Sequence, residues 1–395
     1  MPELSHSPPM KSLDLAQSPS TVGAGRPAWR VWLDQRMDQW MTSPGFYRWA
    51  IGNPITRFIT RRRAAQLFEL MAGFVHSQVL LACVRLRIFE MVREQPRTLD
   101  ELAQACQMSA PALQRLLHSA VSVRLLESRG KQLYGLGPLG APVAADQGLR
   151  LMIEHNAVLY DDMRDPLALL RDQIQPHMQA YWPYMNGDKT HGWEAEKVAR
   201  YSELMATSQR FVIEELLASY DFSSHKCMLD VGGGQGGWVG TLAQKVPQLQ
   251  LMLFDLPPVA ALAQARMQHL GVADRVTVHG GSFISDPLPS GADLVTLVRV
   301  AHDHPDAVVK GLLAAIYNTL PRGGRLLLAE PMAQPLGSAP LGDAYFHFYL
   351  LAMGSGRLRS AQELRQLMLD AGFDAVEQVA NPMPLHTSLL LGQKN

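Results

Sequence analysis

The sequence predicts an α/β protein whose C-terminal part forms a doubly wound, mostly parallel sheet, preceded by a helical domain. Two observations carry this prediction. From residue 227 onward, short apolar runs alternate with helical patterns, which is typical of a parallel sheet covered on both faces. Residues 98–136 instead follow the pattern of two short helices and a small β-wing. We therefore expect a winged-helix domain followed by a larger α/β domain.

Composition excludes several classes of protein. Hydrophobic residues make up 47% of the 395 residues and charged residues 18%, which excludes a wholly disordered chain. Lys+Arg and Asp+Glu number 36 each, so no charge bias favours nucleic acid. Cys83, Cys106 and Cys227 do not cluster, which argues against a zinc site and for a reducing, cytoplasmic compartment. We expect no bound metal. We find no signal peptide and no apolar run of about 18 residues, so we expect any membrane contact to be peripheral.

The N-terminal region begins with a segment rich in Ser, Pro and Gly, residues 1–27, which we expect to be a disordered tail. Residues 29–63 hold four of the chain's seven tryptophans and many more arginines than acidic residues. Trp29, Trp32 and Trp40 share one helical face. Two interpretations remain open: a helix packed on a partner subunit, or an interfacial helix at a membrane.

The next elements predict the winged helix. Residues 64–95 follow a long apolar helix pattern, and Thr98 with Glu101 forms a capping box before the next helix. Ser109 caps the second helix of the pair, and a turn at 129–131 joins the strands of the wing. That second helix offers few cations to a phosphate backbone, which favours a dimerisation module over a DNA-binding one. We assign residues 28–150 to this domain; a winged-helix regulator is the alternative.

The pattern of residues 151–226 predicts a helical linker with an aromatic loop near 181–185. That of residues 227–395 predicts the α/β domain. In that domain we expect helices at 236–246, 259–270, 305–320 and 361–371. The last two strands, near 373–379 and 385–392, are separated by a short NPMP turn. Because so short a connection joins antiparallel neighbours, we expect one antiparallel strand at the end of the sheet.

The first strand of this domain leads into a glycine-rich loop, CMLDVGGGQGGWV. Gly232 and Gly234 fit the spacing of a turn that brings the backbone close to a nucleotide-like cofactor, and Asp255, followed by Leu256, ends the next strand where a carboxylate holds ribose hydroxyls. Glycine spacing alone does not separate NAD from S-adenosylmethionine.

Three further features favour S-adenosylmethionine. Asp230, just before the loop, would repel a pyrophosphate but suits an amino-acid-bearing cofactor. Gly281, Ser282 and Phe283 follow the third strand, where an adenine ring would lie, with Phe283 as a stacking face. The fourth strand ends at Arg299 and His302, at the sheet edge where open α/β sheets bind ligands.

The stretches LDVGGGQGGWVGTL, FDLPPV, GGSFISDPLP and LVRVAHDHPDAVVKGLL resemble the motifs of S-adenosylmethionine-dependent O-methyltransferases of the hydroxyindole and caffeate type. The resemblance implies a Rossmann-like methyltransferase sheet behind a winged-helix domain that forms a homodimer. It implies that Asp255 holds the ribose, that residues 281–283 line the adenine and that Arg299 contacts the cofactor. His302 would be the general base, and Glu330 would orient it. His304, His347 and Tyr349 are runner-up bases.

Two positions depart from that family pattern. Ser282 stands where the family has an acidic residue. Leu358 stands where a second acidic partner of the histidine is expected. These departures imply less polar adenine recognition and a base supported by Glu330 alone.

Outside the cofactor motifs, stretches such as LFELMAGFVHSQVLLACV and YFHFYLLAMGSGRLRS resemble carotenoid O-methyltransferases of photosynthetic bacteria, across roughly residues 28–394. The resemblance implies methylation of the tertiary C-1 hydroxyl of an acyclic carotenoid. A long polyene needs a dry tunnel, for which residues 345–354 and 181–185 are candidate walls. The alternatives are a phenol or a bacteriochlorophyll precursor as substrate and, last, an NAD-dependent dehydrogenase.

Overall fold

The computed structural model describes residues 27–181, 212–334, 341–381 and 387–395. The predicted tail, aromatic loop and NPMP turn lie outside the described residues, apart from one residue each. The chain divides into two compact units, the first ending at Val75 and the second beginning at His76. The predicted domain boundaries at 150 and 226 stay predictions.

The first unit is helical and leaves most of its apolar side chains exposed. It contains α1 (Ala28–Met41), α2 (Pro44–Gly52) and the start of α3 (Pro54–Arg85). Ser43 caps α2 by accepting a hydrogen bond from the Phe46 backbone N–H at 3.2 Å. The Trp40 ring lies 4.4 Å from the ring of Phe46, whereas no residue of α1 is buried. The predicted tryptophan face of α1 is therefore exposed in this chain.

Helix α3 corrects the expectation that no apolar run would reach the length of a membrane span. Among the described residues it is the one helix long and apolar enough to cross a membrane, with a mean hydropathy of 1.7 over 18 residues. Length and composition alone are weak evidence, since a core helix or a signal sequence meets the same criterion.

The N-terminal half of the second unit has the predicted winged-helix pattern. Thr98 and Glu101 form the expected capping box, whereas Ser109 begins its helix without a side-chain capping bond. Three short strands, β1 (Arg97–Thr98), β2 (Leu126–Gly130) and β3 (Leu133–Leu136), pair antiparallel in the order β1–β3–β2. The elements are α4 (Ile88–Met91), β1 (Arg97–Thr98), α5 (Leu99–Ala105), α6 (Ala110–Ser122), β2 (Leu126–Gly130), β3 (Leu133–Leu136), α7 (Gly140–Ala145), α8 (Gln147–Asp162), α9 (Pro166–Leu170) and α10 (His177–Tyr181).

The C-terminal half is the predicted α/β domain. Its helices are α11, described over 212–219, α12 (Gly237–Lys245), α13 (Pro257–His269), α14 (Asp306–Thr319), α15 (Leu341–Met353) and α16 (Ala361–Asp370). Its strands are β4 (Cys227–Val231), β5 (Gln250–Asp255), β6 (Val276–Gly280), β7 (Leu294–Val298), β8 (Arg325–Glu330), β9 (Met332–Ala333), β10 (Arg359–Ser360), β11 (Ala375–Val379) and β12 (Ser388–Gln393). The main helix limits agree with the predicted ones to within two residues.

Seven strands form one sheet in the order β11–β12–β8–β7–β4–β5–β6. Strand β12 pairs antiparallel with β8 and β11, and the other pairs are parallel, as predicted. Buried side chains of α14 and α16 pack on one face, and those of α12 and α13 on the other. The chain reverses its direction of winding at β4, so the carboxyl ends of β4, β5, β7 and β8 meet at the switch point where such sheets bind ligands.

Candidate active site

The loop after β4 adopts a conformation that favours glycine. Gly232, Gly234 and Gly236 have φ angles of +70°, +58° and +75°, which side-chain-bearing residues rarely adopt. A Cβ added at Gly232 would lie 2.7 Å from a methyl carbon of Val300. The Gly232 N–H also donates to the Phe254 carbonyl at 2.8 Å, which ties the loop to β5. The loop is therefore a bare-backbone cradle at the switch point.

Asp255, at the end of β5, joins this loop to the next one. Its carboxylate accepts the backbone N–H groups of Gly234 and Leu256, each at 2.7 Å. Burial raises the pKa of Asp255 to about 6, although both hydrogen bonds oppose that shift. The predicted cofactor residues Gly232, Gly234, Asp255 and Leu256 thus lie together.

Asp230 is buried beneath the loop and accepts a hydrogen bond from the Thr296 hydroxyl at 2.7 Å. Burial raises its pKa to about 7, and the charge of Asp255 adds to that shift. A Cβ added at Gly233 would lie 2.7 Å from the Asp230 carboxylate. A third loop glycine, absent from the predicted set, thus lets the backbone pass close to this carboxylate.

The loop after β6 holds the predicted adenine-side residues. The Gly281 N–H donates to the Asp255 carbonyl at 2.9 Å, so this loop lies beside the glycine loop. The Ser282 N–H donates to the Asp286 carboxylate at 2.8 Å. Asp286, which the sequence analysis missed, therefore supplies a carboxylate to this loop, and a search for Asp in the turn after Ser282 would have found it. The Phe283 ring packs edge-on against His304, 5.2 Å between centroids.

His302 lies in a short 3-10 turn, Ala301–Asp303, just beyond β7. Its Nδ1 lies 2.6 Å from Glu330 Oε2, and both side chains are buried. The other carboxylate oxygen of Glu330 accepts the N–H groups of Val300 at 2.8 Å and Ala301 at 2.7 Å. Arg299, before the turn, has a φ of +57°, a strained value for a residue with a side chain. Glu330 therefore contacts both the imidazole and the backbone of the turn that carries it.

A second carboxylate contacts His302, contrary to the expectation of a single partner. Leu358 is buried in an apolar cluster, but Asp303 Oδ1 lies 3.2 Å from His302 Nε2. Burial by itself lowers the pKa of His302, yet Asp303 and Glu330 outweigh it, so the pKa is raised overall. Burial also raises the pKa of Asp303 to about 6. Sequence reasoning missed Asp303 because it looked for the second acid in a distant segment.

The three runner-up bases are placed differently. His304 is partly buried against Phe283, and burial lowers its pKa to about 4. His347 is exposed on α15. The Tyr349 hydroxyl lies 3.3 Å from His155 Nε2 on α8, and burial raises the pKa of Tyr349. Of the four candidates, His302 is the one held by carboxylates.

These groups fit S-adenosylmethionine better than a metal or a dinucleotide. Backbone without side chains forms the cradle, and Asp230 beside it disfavours pyrophosphate. Ionisable carboxylates at Asp230 and Asp255 suit a cationic, ribose-bearing molecule. In the parts of the chain that the structure describes, no group of three or more His, Cys, Asp or Glu side chains could hold a metal ion.

Comparison with protein families gives two matches. Residues 160–374 match the O-methyltransferase domain, and residues 68–145 match the O-methyltransferase dimerisation domain. The second match supports a homodimer.

Two bacterial relatives are each named demethylspheroidene O-methyltransferase. The protein of Cereibacter sphaeroides is 42% identical over 82% of this chain and 85% of its own length. That of Rhodobacter capsulatus is 39% identical over 86% of this chain and 85% of its own.

Solved structures agree with the fold. Human N-acetylserotonin methyltransferase in complex with S-adenosylmethionine has a TM-score of 0.69 at 23% identity, covering 84% of this chain and 98% of its own. A methyltransferase of calicheamicin biosynthesis, in a form with bound SAH, has a TM-score of 0.67 at 26% identity, covering 85% and 98%. The chain belongs to the O-methyltransferase family, and it is an enzyme that uses S-adenosylmethionine.

Proposed function

We propose that this enzyme methylates the tertiary C-1 hydroxyl of an acyclic carotenoid, such as demethylspheroidene or hydroxyneurosporene, with His302 as general base. The identity of 42% over 82% of the chain to a demethylspheroidene O-methyltransferase carries the substrate assignment. The contact of 2.6 Å between His302 and Glu330 supports the assignment of His302 as the base.

Bound S-adenosylmethionine would supply an activated methyl group on a sulfonium. Asp255 would hold the ribose, while Gly281, Ser282 and Phe283 would line the adenine. Asp230 and Arg299 would contact the rest of the molecule. Since methyl transfer from a sulfonium is an in-line displacement, the protein mainly orients the hydroxyl and takes its proton.

A tertiary alcohol is too weak an acid to ionise beforehand, so the proton must leave as the new bond forms. With Nδ1 donating to Glu330, neutral His302 has its lone pair on Nε2, which accepts that proton. Asp303, 3.2 Å from Nε2, then stabilises the imidazolium. Asp303 also occupies one side of Nε2, so the hydroxyl must approach from the other side.

An apolar and aromatic cluster includes Leu358, whose neighbour Arg357 donates to the His302 carbonyl. Helix α15 contributes Tyr345, Phe346, Phe348 and Tyr349 to a cluster with side chains of α8, α9 and α10. The Tyr345 and Tyr349 rings stack 5.6 Å apart. Side chains of this kind would suit the wall of a tunnel for a polyene, which offers no hydrogen-bonding groups along its length.

A methyl-transfer assay with labelled S-adenosylmethionine tests the substrate. Purified enzyme receives, in separate reactions, a hydroxylated acyclic carotenoid in detergent, a phenol and a bacteriochlorophyll precursor. We expect label in the carotenoid alone. Label in the phenol or the pigment precursor, with none in the carotenoid, would contradict the substrate assignment.

We further propose that residues 29–63 make a peripheral membrane contact, which places a cytoplasmic enzyme at the photosynthetic membrane that holds its substrate. The side chains of Trp29 and Trp32 are 58% and 55% exposed, and arginines lie against both rings. Tryptophan and arginine together suit the membrane–water interface.

Sedimentation with vesicles containing anionic lipid tests this contact. The Trp29→Gln/Trp32→Gln double variant should bind vesicles more weakly, whereas Leu262→Gln, which replaces an exposed apolar residue of α13, should bind like wild type. Equal binding by all three proteins would contradict the proposal. A change from dimer to monomer in the double variant would instead assign this face to a partner subunit.

A further inference from the structure

The three carbonyl groups of the turn that carries His302, and that of His304 just after it, accept hydrogen bonds from one segment, residues 355–359. The Arg357 backbone N–H donates to the His302 carbonyl at 2.8 Å, and the Ser355 hydroxyl donates to the Asp303 carbonyl at 2.7 Å. The Arg359 guanidinium donates to the two outer carbonyls, those of Ala301 and His304, at 2.8 Å each. One segment thus fixes the turn along its whole length.

Arg359 is the main polar anchor of this segment. Its side chain is 1% exposed, which is rare for a charged group unless every donor has a partner. Here Nε donates to the Asp306 carboxylate at 2.9 Å, and the terminal nitrogens divide between that carboxylate and the backbone carbonyls. A planar guanidinium can reach two carbonyls at once, which the single ammonium of lysine cannot do in the same geometry.

The opposite edge of the same turn is held by Glu330. Its carboxylate accepts hydrogen bonds from the backbone N–H groups of Val300 and Ala301 and from Nδ1 of His302. The turn is therefore held by its N–H groups on one edge and by its carbonyls on the other. If the carbonyl edge were released, the imidazole could rotate away from Glu330.

We propose that Arg359 is a positioning residue for His302: it holds the base-bearing turn in the orientation that keeps Nδ1 on Glu330 and Nε2 available to substrate. The effect of Arg359 on turnover rests on the proposed role of His302 as the base. Its effect on the orientation of the imidazole does not. A displacement of about 1 Å at a reacting group lowers turnover by about 100-fold. Arg359→Gln should therefore lower kcat by about that factor and leave the affinity for S-adenosylhomocysteine nearly unchanged.

The test combines turnover with proton NMR of the dimeric enzyme. The proton between His302 and Glu330 should give a far-downfield resonance, assigned by its loss in His302→Gln. We expect this resonance to be lost or shifted in Arg359→Gln and partly shifted in Arg359→Lys. It should be unchanged in Arg365→Gln, which removes a guanidinium bonded to the Val376 carbonyl elsewhere on the fold.

Thermal melting shows which variants fold. If Arg359→Gln does not fold, turnover and the resonance are compared in Arg359→Lys. The proposal is overturned if a folded Arg359 variant keeps both the resonance and the kcat of Arg365→Gln. If His302→Gln retains turnover while the resonance moves in the Arg359 variants, the base assignment fails and the positioning role stands.

Discussion

Replacing Glu330 with Gln tests how the carboxylate controls the base. Glu330 accepts two backbone N–H groups through Oε1, and its Oε2 lies 2.6 Å from His302 Nδ1. A glutamine whose amide oxygen stays on the backbone N–H groups must turn its NH₂ toward His302. The imidazole then accepts at Nδ1 and carries its proton on Nε2, which is the wrong tautomer for a base.

The expected loss in kcat approaches ~10⁴-fold, the loss found when the aspartate that sets the histidine tautomer of a serine protease becomes an amide. The free energy of unfolding should fall by about 1–3 kcal/mol, since the backbone N–H of His302, which donates to Oε2 at 3.3 Å, loses its acceptor. The pH dependence of kcat should also shift. Because the pKa of His302 is raised by its two carboxylate neighbours against the effect of burial, wild-type kcat should rise at a higher pH than an unperturbed histidine would give. Loss of one negative charge lowers that pKa and shifts the midpoint to lower pH.

Labelled-methyl transfer measured from pH 6 to 9, with calorimetric binding of S-adenosylhomocysteine, separates chemistry from cofactor affinity. Glu377→Gln is the matched control, because it makes the same substitution at an exposed position of β11. A Glu330→Gln enzyme with kcat within about threefold of the control and an unmoved pH midpoint would refute the reasoning.

Three further predictions concern Gly232 in the glycine loop, the buried Asp230 and Tyr349 on α15. Gly232→Ala places a Cβ at a positive φ and against Val300, so cofactor affinity and melting temperature should both fall. Gly311→Ala, with open space on α14, should raise the free energy of unfolding by up to about 1 kcal/mol and so raise the melting temperature; equal melting temperatures for the two variants would contradict the steric explanation. The Asp230 pKa of about 7 means that the folded state keeps a proton which the unfolded state loses near pH 4, so its contribution to stability falls as pH rises through that window. Asp230→Asn should flatten the melting-temperature profile between pH 4 and 7, and an unchanged slope would contradict the raised pKa. Tyr349→Phe should keep kcat within about threefold while losing about 1 kcal/mol of stability, whereas a large loss of kcat would make Tyr349 the base.

The sequence predicted the sheet well because apolar runs and turn residues are local signals. Helices α12, α13, α14 and α16, the antiparallel β12 and the cluster of Gly232, Asp255 and Gly281 were placed correctly, whereas α15 was not predicted. The cluster could be predicted because strand ends of a parallel sheet meet at one edge.

What the sequence did not predict depends on contacts between distant segments or on side-chain direction. Asp303 follows His302 directly, yet only the 3-10 turn brings its carboxylate back to Nε2. The role of Arg359 requires segment 355–359 to pack against a turn more than fifty residues away in sequence. No periodicity or motif spacing encodes these contacts.

The most direct test of the central claim is single-turnover methyl transfer to a hydroxylated acyclic carotenoid by wild type and His302→Gln, both saturated with labelled S-adenosylmethionine. His302 makes no contact with the glycine loop in the structure's described hydrogen bonds, so both proteins should bind S-adenosylhomocysteine alike. We expect rapid labelling of the carotenoid by wild type and a rate at least about 100-fold lower in the variant. Equal rates in the two proteins would contradict it.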